Sequence, residues 1–394
     1  MKSNSDKGIS VYKGEFLIHP IPIEISGNTC SHGCYYCYAT LNKPIRKINY
    51  VSLIKYLSNY KNKKDIVSEL LKLDYPVLLS NRTDPFAKSN IKYSESLLEV
   101  LQRNKIQVSI QTKGGEGAIN IIKQYIKEKS IFYVSITFNN DEKCKEIEPN
   151  APNITERIEF IKQLNKLGHI VIVGINPVCE EWLNKTEYKK LLKRIKPYSS
   201  RIWLEALHFN YKQINKINPK SNITKEVIEA GRLKKYKSTV IEYSEIAEKQ
   251  GFDTYYFPKN DSKLFDVYKE VYRKTFPIHT DFVRECEKYK PDIIYKESYV
   301  NYFSNRLPKI EVMSLAYLLD VHRRQESKIK LKPKANYRYI LEYLWNKDTN
   351  MSISNLLCFS HPIINDSELL SDKGEKMLIY NKEGYEKLYT QIKE

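Results

Sequence analysis

The chain has 394 residues, long enough to bury a large core and to hold more than one domain. Its 65 Lys and Arg outweigh 47 Asp and Glu for a formal charge of +18, which favours polyanionic partners such as nucleic acid; a composition rich in Lys, Asn, Ile and Tyr offers a plainer reading, a lysine-covered solvated surface. Seven cysteines, an odd number at irregular spacing, exclude a secreted disulfide framework. No apolar run reaches the ~18 residues of a membrane span, and Met1-Lys2-Ser3-Asn4-Ser5-Asp6 lacks the apolar core of a signal peptide, so a cytoplasmic protein with no membrane partner is expected.

Residues 1–20 read as a polar lead-in. Pro22-Ile23-Glu24-Ile25-Ser26 alternates as a strand should, and Gly27-Asn28 ends it. Helical spacing of Leu, Ile and Val follows over 52–60 and 65–73. Five further apolar runs, 75–80, 108–112, 132–137, 170–175 and 202–207, alternate with helical patterns at 94–103, 118–128, 155–167 and 188–195. Six strands alternating with helices predict an α/β fold: a parallel sheet with crossover helices, two units short of a closed barrel. A long basic helix is expected over 224–249, ended by Gly251, then a strand-like 253–258 and a helix over 262–274. The predicted domains are a lead-in (1–20), the strand–helix core (21–215), a helical region completing it (216–296) and a C-terminal domain (297–394).

Cys30, Cys34 and Cys37 stand at C-x3-C-x2-C spacing on the loop after the first strand. Thiolates suit zinc or iron–sulfur clusters. A structural zinc site wants four protein ligands, and only three cysteines cluster; His32 lies inside the loop and would point awkwardly as a fourth. Three thiolates on a cubane cluster instead leave one iron open to a ligand. A structural zinc knuckle is the alternative.

With the aromatic Tyr36 before the third cysteine, the loop resembles the signature of the radical S-adenosylmethionine (SAM) superfamily. The resemblance implies an open (β/α)6 partial TIM barrel, with which the count of six units agrees. It implies a [4Fe–4S] cluster on Cys30, Cys34 and Cys37 and S-adenosyl-L-methionine chelated at the open iron. It further implies reductive cleavage of SAM, a 5′-deoxyadenosyl radical that takes a hydrogen atom from substrate, Tyr36 bordering the adenine, and an electron donor such as flavodoxin or ferredoxin.

Ligands of parallel sheets sit beyond the carboxyl ends of the strands. After the second strand, where many relatives carry Gly-Gly-Glu, this chain has Thr83-Asp84-Pro85. That stretch is similar to the subgroup of spore photoproduct lyase and DNA repair photolyase-like proteins, although Asp84 is equally a residue that caps a turn. Lys113, before Gly114-Gly115, matches a SAM-contacting lysine of that subgroup, Ser135 its ribose-contacting serine, and Tyr38 a tyrosine of its hydrogen-atom relay; Asn176 ends the fifth strand and joins the expected cofactor site. Plainer readings are an exposed lysine in a glycine turn and a small serine packed in a sheet. Glu148-Pro149-Asn150-Ala151-Pro152 followed by Glu156-Arg157 extends the similarity, which spans about residues 15–210. The cysteine that the lyase carries after its second strand is missing, since Ser80, Asn81 and Arg82 stand there. Cys144 and Cys179 follow strands on the catalytic side, and Cys179 is a candidate hydrogen-atom donor, though buried inert cysteines are common. Glu205 and His208, at the end of the sixth strand, are candidate substrate contacts.

In the C-terminal domain the order helix, helix, strand, helix is that of a winged helix; an irregular helical lid is the alternative. Lys330, Lys332 and Lys334 belong to a basic connection suited to a phosphate backbone, with Tyr337 and Tyr339 nearby for stacking. The sequence therefore points to a radical SAM enzyme acting on DNA or RNA. A radical SAM enzyme modifying a peptide, and a nucleic-acid-binding protein with a structural metal, are the rivals.

Overall fold

The computed structural model describes residues 8–11, 21, 23–27, 29–41, 48–63, 65–72, 74–79 and 82–256. Beyond these it describes 264, 267–268, 270–272, 296–297, 300–301, 342, 364–365, 368–377 and 379–380. Eight strands form one sheet in chain order: β1 (Ile9–Val11), β2 (Ile23–Ile25), β3 (Val77–Leu79), β4 (Val108–Thr112), β5 (Ile131–Ser135), β6 (Ile170–Val178), β7 (Arg201–Ala206) and β8 (Asp253–Tyr255). From β3 to β8 every pairing is parallel, and β8 is not joined to β1, so the sheet is open. Sequential order follows from the short crossovers, each of which returns the chain beside the strand it left.

The helices are α1 (Tyr38–Leu41), α2 (Tyr50–Ser58), α3 (Ile66–Lys72), α4 (Ile91–Arg103), α5 (Ala118–Tyr125), α6 (Asp141–Ile147), α7 (Ile154–Lys166), α8 (Lys185–Ile195), α9 (Tyr211–Ile214), α10 (Lys225–Arg232) and α11 (Lys237–Glu248). The core lies between sheet and helices. Val77, Ile110, Val134, Ile172 and Ile202 on the strands are fully buried, as are Ile122, Ile161, Leu164 and Leu192 on the helices. Strands buried on both faces need continuous apolar runs, which is why β5 and β6 read Ile-Phe-Tyr-Val and Ile-Val-Ile-Val. The α7 helix starts at a capping box: the Asn153 side chain accepts from Glu156 N–H and the Glu156 carboxylate accepts from Asn153 N–H.

The six expected strands are β2 to β7; the structure adds β1 and takes the strand-like run at 253–258 into the same sheet. The polar lead-in carries β1, whose three residues are too few to show a pattern, and Ser26 at the end of β2 donates to the Gly8 carbonyl beside it. The strand-like run at 253–258 becomes β8, paired with β7 through Arg201–Asp253 and Trp203–Tyr255. The single helix expected over 224–249 is two. Lys234 adopts φ 54° and Lys235 N–H reaches back to the Ala230 carbonyl, which closes α10 with a left-handed cap before α11 begins.

The chain divides into two compact units. The first, residues 1–10, 24–58 and 77–260, carries strands β3 to β8 and all the site residues described below. The second, residues 11–23, 59–76 and 261–394, includes α3, whose Ser68 hydroxyl donates to the carbonyls of Tyr60 and Lys63, and an antiparallel ribbon of β9 (Ile364–Asn365) and β10 (Ile379–Tyr380). Lys330, Lys332 and Lys334, with the helices expected around them, lie outside the described residues. Among the described residues no helix is long and apolar enough to cross a membrane.

Candidate functional site

The cysteine loop joins β2 to α1 and is clamped from two sides. On one side, Gly27 N–H donates to the Thr83 hydroxyl at 2.9 Å, and Ser31 and Ser89 exchange main-chain-to-hydroxyl bonds at 3.1 Å each. On the other, Tyr35 N–H donates to the Ile147 carbonyl and Asn150 N–H to the His32 carbonyl, both at 3.1 Å. The prolines of Glu148-Pro149-Asn150-Ala151-Pro152 stop that stretch from joining a helix or ladder, so its main-chain groups are left to hold the loop. Gly33 takes φ +67°, a conformation that favours glycine.

His32 is buried, and both of its ring nitrogens face oxygens. Its Nδ1 lies 3.2 Å from the Asn150 carbonyl and its Nε2 3.2 Å from Asp84 Oδ2, the latter not aligned as a hydrogen bond. Asp84 is the joint between loop and sheet. Its Oδ1 accepts from Phe86 N–H at 2.9 Å and from the Thr112 hydroxyl at 2.7 Å, and its Oδ2 from Lys113 N–H at 2.5 Å. Burial works to raise the Asp84 carboxyl, but His32 and these donors outweigh it and hold the group below its usual range. The backbone there is tight: a Cβ on Gly115 would sit 2.5 Å from the Phe86 carbonyl oxygen, so only glycine fits.

Behind the loop lies a buried ionic cluster centred on Glu148, whose side chain is wholly inaccessible. Glu148 accepts from the Tyr36 hydroxyl and from Arg157 Nη2, and Lys113 Nζ lies 3.5 Å from its Oε1. Arg157, equally buried, also donates to the carbonyls of Pro152 and Ser135 and lies 3.3 Å from Cys144 Sγ. Burial pushes the Glu148 carboxyl up, yet Arg157, Lys113 and the Tyr36 hydroxyl together bring it down to about 2. For Lys113 burial acts to neutralise the amine, and Glu148 more than reverses it. Two cations thus share one carboxylate. The spare positive charge belongs to Lys113, which lies 5.8 Å from the centre of the Tyr36 ring.

From Lys113 a line of polar groups runs along the carboxyl edge of the sheet. Lys113 Nζ donates to the Ser135 hydroxyl at 3.3 Å, Ser135 to the Asn176 carbonyl at 3.3 Å, and Asn176 Nδ2 to Glu205 Oε2 at 2.7 Å. Asn176 reaches this line because the β6–β7 register shifts between Ile175 and Val178. Pro177 has no N–H for the ladder, so the strand bulges there and the Asn176 carbonyl is met by Ser135 and Thr137 instead. Burial raises the Glu205 carboxyl.

Tyr36, Asp84, Lys113, Ser135, Asn176 and Glu205 therefore stand in one connected arrangement beside Cys30, Cys34 and Cys37. The remaining candidates are not part of that hydrogen-bonded line, although the His208 charge works against burial at Glu205. Tyr38 opens α1 directly after Cys37 and is 41% exposed. Cys179 is buried just past β6, where its thiol contacts Glu181 Oε2 at 3.1 Å, an oxygen that also accepts from the Tyr236 hydroxyl. His208 is exposed, its ring resting on the Ala206 carbonyl at 3.0 Å. Sequence reasoning did not single out His32 as a partner of Asp84, Thr112 as its donor, or Glu148 and Arg157 as a buried pair. The available signal was a Glu and an Arg flanking two prolines, a segment with no helical or strand period.

The three thiols fit a cluster of the kind the sequence implies. Cys30 is pushed up to about 11, by burial first and then by Asp84, with the N–H groups of His32 and Asp84 pulling the other way; Cys34 is raised by burial and by Glu148. Cys37 contributes to both shifts, so the three sulfurs share one neighbourhood. Such thiols ionise when a metal takes the place of the proton. Among the described residues no three His, Cys, Asp or Glu side chains converge as ligands of a single ion. A cubane instead takes each thiolate on a different iron, and N–H groups facing sulfur tune such clusters.

No protein-family model and no curated protein matches the sequence. The chain is similar in structure to spore photoproduct lyases. A variant with bound AdoMet and dinucleoside spore photoproduct aligns at 15% identity and a TM-score of 0.44, over 64% of this chain and 79% of that one. A lyase complexed with dinucleoside spore photoproduct aligns at 16% identity and a TM-score of 0.44, over 63% and 78%. A tyrosine variant aligns at 14% and 0.46, over 62% and 77%.

Proposed function

We propose that the chain is a radical SAM enzyme acting on nucleic acid. The observation that carries the first half is a loop with three thiols whose one imidazole is committed elsewhere, to Asp84 and Asn150, so that the donor set is three sulfurs. Cys30, Cys34 and Cys37 would hold a [4Fe–4S] cluster, which with SAM bound would supply one-electron chemistry for hydrogen-atom abstraction. The chain's own residues bind and orient. Asp84 and the Ile147–Asn150 stretch hold the loop against the sheet. Lys113 offers the spare positive charge to the SAM carboxylate, since an amine kept protonated beside a shared carboxylate is completed by a second anion. Ser135, Asn176 and Glu205 present hydroxyl, amide and carboxyl groups to ribose or substrate, and Tyr36 is pinned by Glu148 at the adenine side. Tyr38 and Cys179 are candidates for passing a hydrogen atom back; Tyr38 is the more accessible.

The second half rests on the +18 charge. Peptide modification is the second reading. Anaerobic reconstitution with iron and sulfide, followed by SAM and dithionite, tests both halves. We expect 5′-deoxyadenosine whose yield changes when DNA or RNA is added. A yield indifferent to nucleic acid but responsive to peptides would overturn the substrate class. No product from a fully loaded cluster under any of these conditions would overturn the enzyme.

A further inference from the structure

We infer that the rim formed by α9 and the loop after it, beside the cysteine loop, is a docking surface for single-stranded nucleic acid, with Tyr211 as the platform for a base and Lys212, Lys216 and Lys220 along the backbone path. This inference rests on the nucleic-acid reading above and gives that reading a place on the molecule.

The argument starts from position. The chain leaves β7 one residue past Glu205, the last member of the polar line, and passes through exposed His208 into α9. The α9 helix packs against α1, which begins one residue after Cys37. Further on, Asn222 Nδ2 donates to the Glu146 carbonyl at 3.3 Å, next to the stretch that clamps the cysteine loop. Residues 208–222 therefore border the site from the β7 end, past α1, to α6.

Composition is the second point. Between 208 and 237 the sequence has eight Lys and Arg against two acids, Glu226 and Glu229. Both acids lie on α10, and Glu229 pairs with Arg232. The stretch from 208 to 225 has no acid at all, and Lys212, Lys216, Lys220 and Lys225 are all exposed. Tyr211 is 71% exposed at the first position of α9. A ring that open contributes little to packing, while stacking of bases on aromatic rings combined with flanking cations is how sequence-tolerant binding of single strands works. A duplex offers no free base face to such a ring.

Rigidity is the third. Asn210 and Gln213 form a capping box with both bonds made, and Gln213 is buried. Phe209 N–H donates to the Gly231 carbonyl, and a Cβ on Gly231 would lie 2.6 Å from the Phe209 ring, so the base of the rim is packed without slack. The platform is ordered before the ligand arrives, which limits the entropic cost of binding.

The test is fluorescence anisotropy with the full chain and a labelled oligodeoxythymidylate, titrated over a range of salt. Tyr211→Ala is expected to weaken binding by about fivefold or more at every salt concentration. The triple variant Lys212→Gln, Lys216→Gln, Lys220→Gln is expected to lower the slope of log affinity against log salt by about 2, since each phosphate contact on a single strand contributes about 0.7. All four positions are exposed, and circular dichroism confirms that the variants fold. Variants that bind as the wild type does would overturn the proposal, as would polyglutamate competing as well as the oligonucleotide, which would mark an acidic-peptide site. SAM cleavage by the wild type is measured in parallel. A wild type that fails to cleave SAM removes the enzyme reading and leaves the binding data to decide the rim. One that cleaves SAM and binds the strand through other residues sinks the rim alone.

Discussion

The two edges of the parallel sheet use polar residues in opposite ways. At the amino edge the buried hydroxyls of Ser109, Ser130 and Ser199 answer main-chain carbonyls. Ser109 donates to Ile131 at 3.0 Å and Ser199 to Val171 at 2.8 Å, and His169 sits buried with its ring 5.0 Å from that of Phe132. At the carboxyl edge the polar side chains answer one another: Asp84 with Thr112 and His32, Glu148 with Tyr36, Lys113 and Arg157, Asn176 with Glu205. The amino edge spends hydrogen bonds on closing the fold. The carboxyl edge holds buried charges in fixed positions, an arrangement weak as a source of stability and strong as a means of placing groups.

Substitutions at the two edges should differ in kind as well as in size. The largest effect is expected of Cys34→Ala, which should lose the cluster and all SAM cleavage, read as iron content and 5′-deoxyadenosine; retained cleavage would remove the site from this loop. Next is Arg157→Met. Removing one partner of a buried pair typically costs about 3–5 kcal/mol. Urea denaturation should show a loss of that order, with partial recovery in the Arg157→Met, Glu148→Gln double variant. A loss under 1 kcal/mol, on the scale of a solvated pair, would mean that Glu148 is hydrated rather than sealed. Lys113→Ala should raise the KM for SAM about tenfold or more, as expected for loss of a bond between charged groups worth about 1.5–3 kcal/mol, while the cluster's absorbance stays.

At the amino edge the effects are on stability alone. Burial lowers His169 from 6.5 to about 4, so the folded state resists the proton that the unfolded chain accepts. Its contribution is whole above pH 6.5 and declines as the pH falls toward about 4. The melting temperature of the wild type should therefore fall between neutrality and pH 5, and His169→Phe should flatten that fall. The smallest effect is expected of Ser199→Ala, at about 1 kcal/mol, with SAM cleavage unchanged.

What could be read from the sequence followed from what is periodic or clustered. The apolar runs from β2 to β7 announced themselves, and so did three cysteines within eight residues. Counting to the ends of those runs placed Lys113, Ser135, Asn176 and Glu205 at the carboxyl edge, and the family resemblance gave Lys113 and Ser135 their expected roles. Their connections were not legible, because they depend on the β6 bulge at Asn176 and on residues far apart in sequence: Tyr36 with Glu148, His32 with Asp84. β1 was hidden by its brevity. The break between α10 and α11 was hidden because Lys234, not glycine, takes the left-handed position.

The central claim is that the loop holds three thiolates on a cluster with an iron open to SAM. Its most direct test is metal and acid-labile sulfide content after anaerobic reconstitution, with electron paramagnetic resonance of the reduced protein before and after SAM is added. The account predicts about four iron and four sulfide per chain, in His32→Ala as well as in wild type, and a signal that changes when SAM binds. Tightly held zinc that depends on His32, with no response to SAM, would contradict it and make the loop a structural knuckle.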